Sequence, residues 1–439
     1  MDSIMKKRRS RAYVLLIFAS VFLYLTLTAS KNLYTAEKTT LHELGTFGNL
    51  TDLATTMEYY FYTYAATQIA LAFFMKKINI KWFLTVTVGI SAILTMLVSF
   101  TSGIGQHYII FAINGMLQAG IWGILLKILS IYLPMRLLPI ANQIMSAGPA
   151  AASATAYGVA ALFGDNWKLP FFILGALLLF SVVLYTMSVN IVAKFPKDMS
   201  THHIVMSDGT ETDVSDEEDN DFIHLNSKRR VAVFYIISIF IGFFVTSIYF
   251  MVNNNLDVYL KEIGGFSNSI AKILTVFAPL AAVVGPLVCV RSCERHRNFV
   301  AVAACYFGLA LAVMTAVLFV FDKSVIAALA LMVLFLVLAN GGRSVSLSIA
   351  ALKMRTKIDT GVYSTVVNAV ASIASGVTPK IITSILDRES LSVTESWRMS
   401  LGIIFAVNLF AVLALMLIII WIKLANRKGR QINEISEEN

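Results

Sequence analysis

Charge is scarce in this chain. Of its 439 residues only 14% are Asp, Glu, Lys or Arg, while 57% are hydrophobic. A soluble protein of this length has no way to bury so much apolar surface. Proline is also scarce, with eight in all, which argues against a loop-rich fold. Cysteine is rarer still. Cys289, Cys293 and Cys305 are an odd, small set and give no disulfide framework. The run "CVRSCERH" brings Cys289, Cys293 and His296 together, but the spacing is not a standard zinc pattern. No metal and no cofactor are expected.

What is present is a series of apolar runs of about 18 residues or more, the length that crosses a hydrocarbon core of about 30 Å. Twelve spans are predicted, near 12–35, 52–75, 81–101, 107–133, 138–163, 169–193, 231–258, 267–290, 299–321, 324–352, 358–386 and 398–423. The first follows "MKKRRSR" and competes with a signal peptide, but it is too long for one, and eleven more spans follow. Lys and Arg placement orients the chain. With both termini inside, cytoplasmic segments hold 24 of the 35 and external loops hold seven. The net charge of +9 is then mostly orientation and contact with anionic lipid, not nucleic acid.

Residues 194–229 break the apolar pattern with "SDGTETDVSDEEDNDF". They read as a solvated acidic linker. The chain divides into an N-terminal six-helix bundle (1–193), this linker, and a C-terminal bundle with a short tail (230–439). The halves resemble each other. Span 4 reads "NGMLQAGIWGILLK" from Asn114, and span 10 reads "NGGRSVSLSIAALK" from Asn340. Trp167-Lys168 and Trp397-Arg398 precede spans 6 and 12. Two parallel six-helix repeats are the architecture of major facilitator transporters, in which substrate binds at mid-membrane between the halves.

The repeat also sets depth. Lys127 matches Lys353 at a cytoplasmic helix end, so Lys127 is expected to snorkel. Arg343 precedes Lys353 by ten residues, about 15 Å of helix, which puts it near the bilayer midplane.

Within that superfamily the chain resembles the organophosphate:phosphate antiporters, such as the glycerol-3-phosphate and hexose-6-phosphate transporters. The matching stretches are "SKNLYTA" in span 1, "GMLQAGIW" in span 4 and "LDVYLKE" at the end of span 7. The loop "GPLVCVRSCER" keeps a gating motif of the superfamily through Gly285, Glu294 and Arg295. The departures are informative. Ser30 and Val252 stand where the family places its phosphate-binding arginines, Gln68 where it has a lysine, and Ser146 where it has a histidine.

Several polar stripes point to a shared aqueous cavity. Span 2 carries Tyr60, Tyr64 and Gln68 at i, i+4 and i+8, on one helix face. Span 4 carries Gln118 and Trp122, span 7 carries Tyr249, Asn253 and Asp257, span 10 carries Asn340 and Arg343, and span 1 carries Lys31 and Asn32 after Tyr24. Each stripe has a plainer reading. The tyrosines fit an interfacial belt, Asn253 and Gln118 fit helix-to-helix glue, and Arg343 fits an ion pair with Glu58 or Asp257. The reading adopted is a binding site for a small anionic solute, with Lys31 and Arg343 replacing the family's arginine pair and drawing together as the site closes. Asn32, Tyr64, Gln68, Gln118, Trp122, Asn253 and Asn340 complete it. The expectation is a secondary transporter, a monomer in the plasma membrane surrounded by lipid. It is not an enzyme, since no cluster of nucleophile, base and orienter stands out. No His or carboxylate lies clearly at mid-span, which favours exchange over proton coupling. The alternative is a sensor of the same fold that binds a sugar phosphate with little transport.

Overall fold

A computed structural model describes residues 2–74, 79–134, 137–195, 228–296, 298–345 and 360–437. Linker residues 196–227 and the repeat-matching Lys353 lie outside the described residues. The fold is all-α, as expected. In the first half the helices are α1 (Asp2–Ala36), α2 (Lys38–Glu43), α3 (Leu50–Phe74), α4 (Ile80–Val98), α5 (Ile104–Gln118), α6 (Ile121–Tyr132), α7 (Leu138–Phe163) and α8 (Lys168–Val192). In the second they are α9 (Lys228–Asn253), α10 (Leu256–Glu262), α11 (Asn268–Ala282), α12 (Val284–Arg295), α13 (Phe299–Val320), α14 (Val325–Ser344), α15 (Thr360–Leu386) and α16 (Val393–Glu437). Helix is the only open-ended way to satisfy backbone groups in lipid.

Among the described residues ten rods are long and apolar enough to cross a membrane. Four of them join two helices: α1 with α2, α5 with α6, α9 with α10, and α11 with α12. The other two spans are α3 and α7, of 25 and 26 residues. Their sequences are less apolar, because α3 carries Glu58, four tyrosines and Gln68, and α7 is rich in Ala, Ser and Gly. Together these make twelve spans, six in each repeat.

The breaks within rods have local causes. Span 4 was expected to run unbroken, but α5 ends at Gln118 and α6 starts at Ile121. Gly120 between them has φ +73°, a left-handed conformation that glycine adopts at little cost. Span 7 breaks at "NNN". The Asn255 side chain donates to Met251 O at 2.9 Å and Asn253 donates to Asn254 Oδ1 at 3.0 Å, the local bonding by which Asn competes with helix.

The chain forms two compact units. One comprises Met1–Val214 with Phe266–Pro279, the other Ser215–Gly265 with Leu280–Asn439. The first unit has two apolar cores. One gathers Leu16, Leu23, Leu84, Leu125, Met145 and Tyr185. The other gathers Leu33, Tyr34, Phe61, Phe111, Tyr157 and Phe171, with Val276 packed against it.

Glycine allows the closest helix approaches in each repeat. A Cβ on Gly115 of α5 would collide with the Tyr60 carbonyl of α3. A Cβ on Gly285 of α12 would collide with the Val337 carbonyl of α14, and one on Gly341 would sit 2.6 Å from the Tyr306 ring. The paired Asn-Gly motifs of spans 4 and 10 are therefore close-packing points, the small-residue contacts that let membrane helices approach.

Candidate functional site

In the first unit, Lys31 leaves the buried face of α1. Ser30, its neighbour, is buried and its Oγ donates to Leu27 O at 2.8 Å within its own helix. Lys31 is half-buried, and its Nζ lies over two rings of α3, 5.6 Å from the Phe61 centroid and 5.9 Å from that of Tyr60. That distance range is where a cation is attracted to a ring face. Tyr64 stacks one turn further on, 6.0 Å from Tyr60. The i, i+4 tyrosine stripe thus forms an aromatic strip against the Lys31 amine.

The Tyr60 hydroxyl donates to Gln118 Oε1 at 2.8 Å, and Gln118 Nε2 donates to Ser91 Oγ at 2.9 Å. This buried chain ties α3, α5 and α4 together. It engages both ends of the Gln118 amide, so the structure places Gln118 between helices. Trp122, just past the Gly120 break, packs on Tyr24 of α1 with centroids 4.8 Å apart. Gln68 and Asn32 are half-buried, and Gln68 Oε1 has no hydrogen-bond partner among the described residues. Asn32 and Lys31 are thus adjacent on α1, Tyr64 joins Lys31 through Tyr60, and Trp122 belongs to the separate Tyr24 contact.

In the second unit Arg343 is held from two sides. Asn340, one turn earlier, accepts from Arg343 Nε at 3.2 Å and Nη2 at 3.0 Å through its Oδ1. Asn340 is itself fixed, because its Nδ2 donates to Ala282 O of α11 at 2.8 Å. The guanidinium lies over the faces of Tyr249 and Phe250 of α9, 5.0 and 5.6 Å from their centroids. Among the described residues no carboxylate lies within 4.0 Å of it. Within the second unit the ion-pair reading with Asp257 therefore has no contact to rest on; in the first unit Glu58 accepts from Tyr62 at 2.7 Å. A guanidinium has five N–H donors, and Asn340 takes two of them. The result is an oriented cation whose charge no described acid neutralises. Asn253 is buried on α9, and its Oδ1 lacks a hydrogen-bond partner among the described residues.

Of the residues expected to form a gating motif, Gly285 is the α12–α14 contact described above, Glu294 lies in the last turn of α12, and Arg295 ends that helix and is exposed. Cys289 and Cys293 are buried and free, and no metal-holding group of His, Cys, Asp and Glu occurs among the described residues.

Sequence reasoning missed one ionic feature. Lys272 lies one turn into α11 and is fully buried. Its Nζ contacts Glu37 Oε2 at 2.6 Å and Thr40 Oγ1 at 2.7 Å, and Glu37 is fully buried too. Asn268 of the same helix bonds Glu43. These contacts join segment Phe266–Pro279 to the first unit. Nearby, buried His107 bonds Tyr34 through Nδ1 at 3.0 Å and Thr101 through Nε2 at 2.6 Å, with Phe47 stacked on its ring at 4.8 Å. His107 has a structural place in the fold.

Twelve spans, a repeated Asn-Gly packing point and an oriented intramembrane cation define a multi-pass membrane protein of the transporter type. The profile of the major facilitator superfamily matches residues 12–379, and the chain belongs to that superfamily, a family of transporters. No curated protein matches the chain in sequence. Solved structures share the fold at low identity. A bacterial homologue of the human lysosomal transporter Spinster, in an inward-facing and unoccupied conformation, is 13% identical with a TM-score of 0.70, over 95% of this chain and 98% of that one. The nucleoside transporter NupG is 14% identical with a TM-score of 0.62, over 92% and 98%. A D-xylose-proton symporter is 11% identical with a TM-score of 0.65, over 92% and 97%.

Proposed function

We propose that this transporter moves a small organic anion, of the class of phosphate esters and carboxylates, by alternating access in the plasma membrane with both termini cytoplasmic. The observation that carries the reading is Arg343. Arg343 lies in the last turn of α14, at the end of an apolar span, and Asn340 and two ring faces orient it. Among the described residues three of its donors have no acceptor, and a phosphate or carboxylate matches its planar fork. Lys31 supplies a second, point-like cation on the first repeat, set against an aromatic strip. Asn32, Tyr64, Gln68, Trp122 and Asn253 supply neutral polar and aromatic contacts, and Gln118 holds the tyrosine strip in place.

Affinity with the organophosphate:phosphate antiporters belongs to the same proposal. Its support is the span-4 run from Gly115 to Trp122 and the pair of cations. Exchange of one anion for another follows from that affinity. The test is thermal stabilisation of purified protein by a panel of inorganic phosphate, glycerol phosphate, hexose phosphates, dicarboxylates and neutral sugars. The stabilising anion is then used in counterflow into proteoliposomes. Stabilisation by anions alone, followed by anion-driven counterflow, is the expected result. Stabilisation by neutral sugars alone would refute it.

A further inference from the structure

Span 8 is a jointed rod. Helices α11 and α12 run from Asn268 to Cys293 as one membrane-crossing element, yet the element is divided between the two units at Pro279–Leu280. The same stretch carries the breaks. Pro279 lies inside α11 and has no N–H, so the helix loses a bond there. Helix α11 stops at Ala282 and α12 resumes at Val284. Val283 between them donates to Leu280 O at 3.3 Å, a tighter, three-residue turn. The other end of the divided segment is marked too. It begins at Phe266, directly after Gly264-Gly265, and Gly265 has φ +65° with open space around it. Span 2, the counterpart of span 8 in the first repeat, is one unbroken helix of 25 residues without proline.

The two halves of the rod hold different partners. On the Asn268 side, Lys272 contacts Glu37 at 2.6 Å and Thr40 at 2.7 Å, Asn268 bonds Glu43, and Val276 packs on the core around Tyr34. On the Cys293 side, Ala282 O accepts from Asn340 at 2.8 Å, and Gly285 lies so close to the Val337 carbonyl of α14 that no Cβ fits. Sharp kinks at proline exceed about 20°. Asn268 is eleven residues from Pro279, about 16 Å of helix, and Lys272 is seven, about 10 Å. A change of about 20° at the joint therefore moves Asn268 by about 6 Å and Lys272 by about 4 Å. That parts the Glu37 pair while Ala282 and Gly285 stay on α14.

We infer that residues 266–279 form a hinged strap: transport opens one membrane face by bending span 8 at Pro279–Val283 and releasing the Glu37–Lys272 clamp, and not by rigid rocking of whole six-helix bundles, the usual motion of such repeats. The inference rests on the alternating-access reading and is independent of what the substrate is. Lys272 and Pro279 are positioning residues in it.

Distance measurement between nitroxide labels by double electron–electron resonance tests it, on the full-length protein in lipid nanodiscs with Cys305, the exposed native cysteine, replaced by Ser. One label pair, at exposed Leu44 and Ser267, reports the clamped end of the spans. Another, at exposed Lys194 and His296, reports the opposite end. Lys272→Glu sets like charges against each other and should move the Leu44–Ser267 distances to a population about 6 Å longer. Glu37→Lys with Lys272→Glu swaps the charges and should restore the short population. Adding Pro279→Ala to Lys272→Glu stiffens the joint and should deplete the long one. The Lys194–His296 distances should stay the same throughout. Lys272→Gln serves where the reversal does not fold, and a monodisperse elution profile identifies folded protein. A Leu44–Ser267 distance that no folded variant changes would overturn the inference and make the pair a fixed structural contact. A long population indifferent to Pro279→Ala would overturn the hinge. Lys194–His296 distances that shorten as Leu44–Ser267 distances lengthen would also overturn the inference, because rigid rocking produces both, and would leave alternating access standing.

Discussion

Lys272→Met isolates the energetics of the buried pair with Glu37. At 2.6 Å and an effective dielectric constant of 20, the attraction is about 6 kcal/mol. Both side chains are fully buried, and withdrawing each from water costs several kcal/mol, so the two effects roughly cancel. Single and double replacements should therefore behave very differently. Lys272→Met removes the Lys272 cation from the buried Glu37 carboxylate, at a cost of about 3–5 kcal/mol. Lys272→Met with Glu37→Leu removes both charges and should return to within about 1–2 kcal/mol of wild type. The assay is thermal denaturation in detergent at a fixed heating rate, read by a thiol-reactive dye and by the monodisperse fraction after heating. A fixed rate is needed because unfolding of such proteins is often irreversible. The expected order is wild type and double variant high, each single variant several degrees lower. If the double variant were as unstable as the sum of the singles, the pair would not be coupled and the account of segment Phe266–Pro279 would fail.

Two further predictions concern packing. Gly285→Ala places a methyl group against the Val337 carbonyl, which belongs to backbone and has nowhere to go; overpacking of about 1–3 kcal/mol or more should appear as lost folded yield. Gly402→Ala, in α16 with open space around its Cβ position, should be neutral or stabilising by up to about 1 kcal/mol in the same assay. Gln118→Ala strands the buried Tyr60 hydroxyl and should cost about 1–3 kcal/mol, whereas Gln118→Leu with Tyr60→Phe should recover most of that stability. A folded, stable Gln118→Ala that has lost only ligand binding would make the amide a direct ligand instead.

Much of the fold is legible in the sequence because lipid imposes long, contiguous signals. The spans follow from apolar length. The repeat follows from Asn114-Gly115 and Asn340-Gly341, and the structure gives the motif a physical basis, since a side chain larger than hydrogen is excluded at both glycines. Arg343 is legible as a cation inside an apolar run, but its orientation by Asn340 and Tyr249 is only partly so. The i, i+3 spacing announces the first contact, and nothing local announces the second. The break at Gly120 is hidden by continuous apolarity on both sides, although "QAGIW" contains the one residue type suited to φ +73°. The Glu37–Lys272 pair is illegible for a different reason. Each charge lies near a span end, where a charge ordinarily meets water, and the partners are 235 residues apart. Gln118 shows the limit of a helical stripe: i, i+4 spacing with Trp122 suggests a shared face, but the chain breaks between them and sends the two side chains to different neighbours.

The central claim is that Arg343 holds an anion. The most direct measurement is the affinity of purified, monodisperse Arg343→Ala, Arg343→Lys and wild type for the panel anion that most stabilises the wild-type protein, by calorimetric titration. A charge-assisted hydrogen bond is worth about 1.5–3 kcal/mol, so loss of a bidentate contact should weaken binding by one to three orders of magnitude, at about 1.4 kcal/mol per tenfold. Lys keeps the charge without the fork and should fall between the other two. The melting temperature of unliganded Arg343→Ala should stay near that of wild type, because among the described residues no carboxylate lies within ion-pair distance to be stranded. Wild-type affinity in a folded Arg343→Ala protein would contradict the claim.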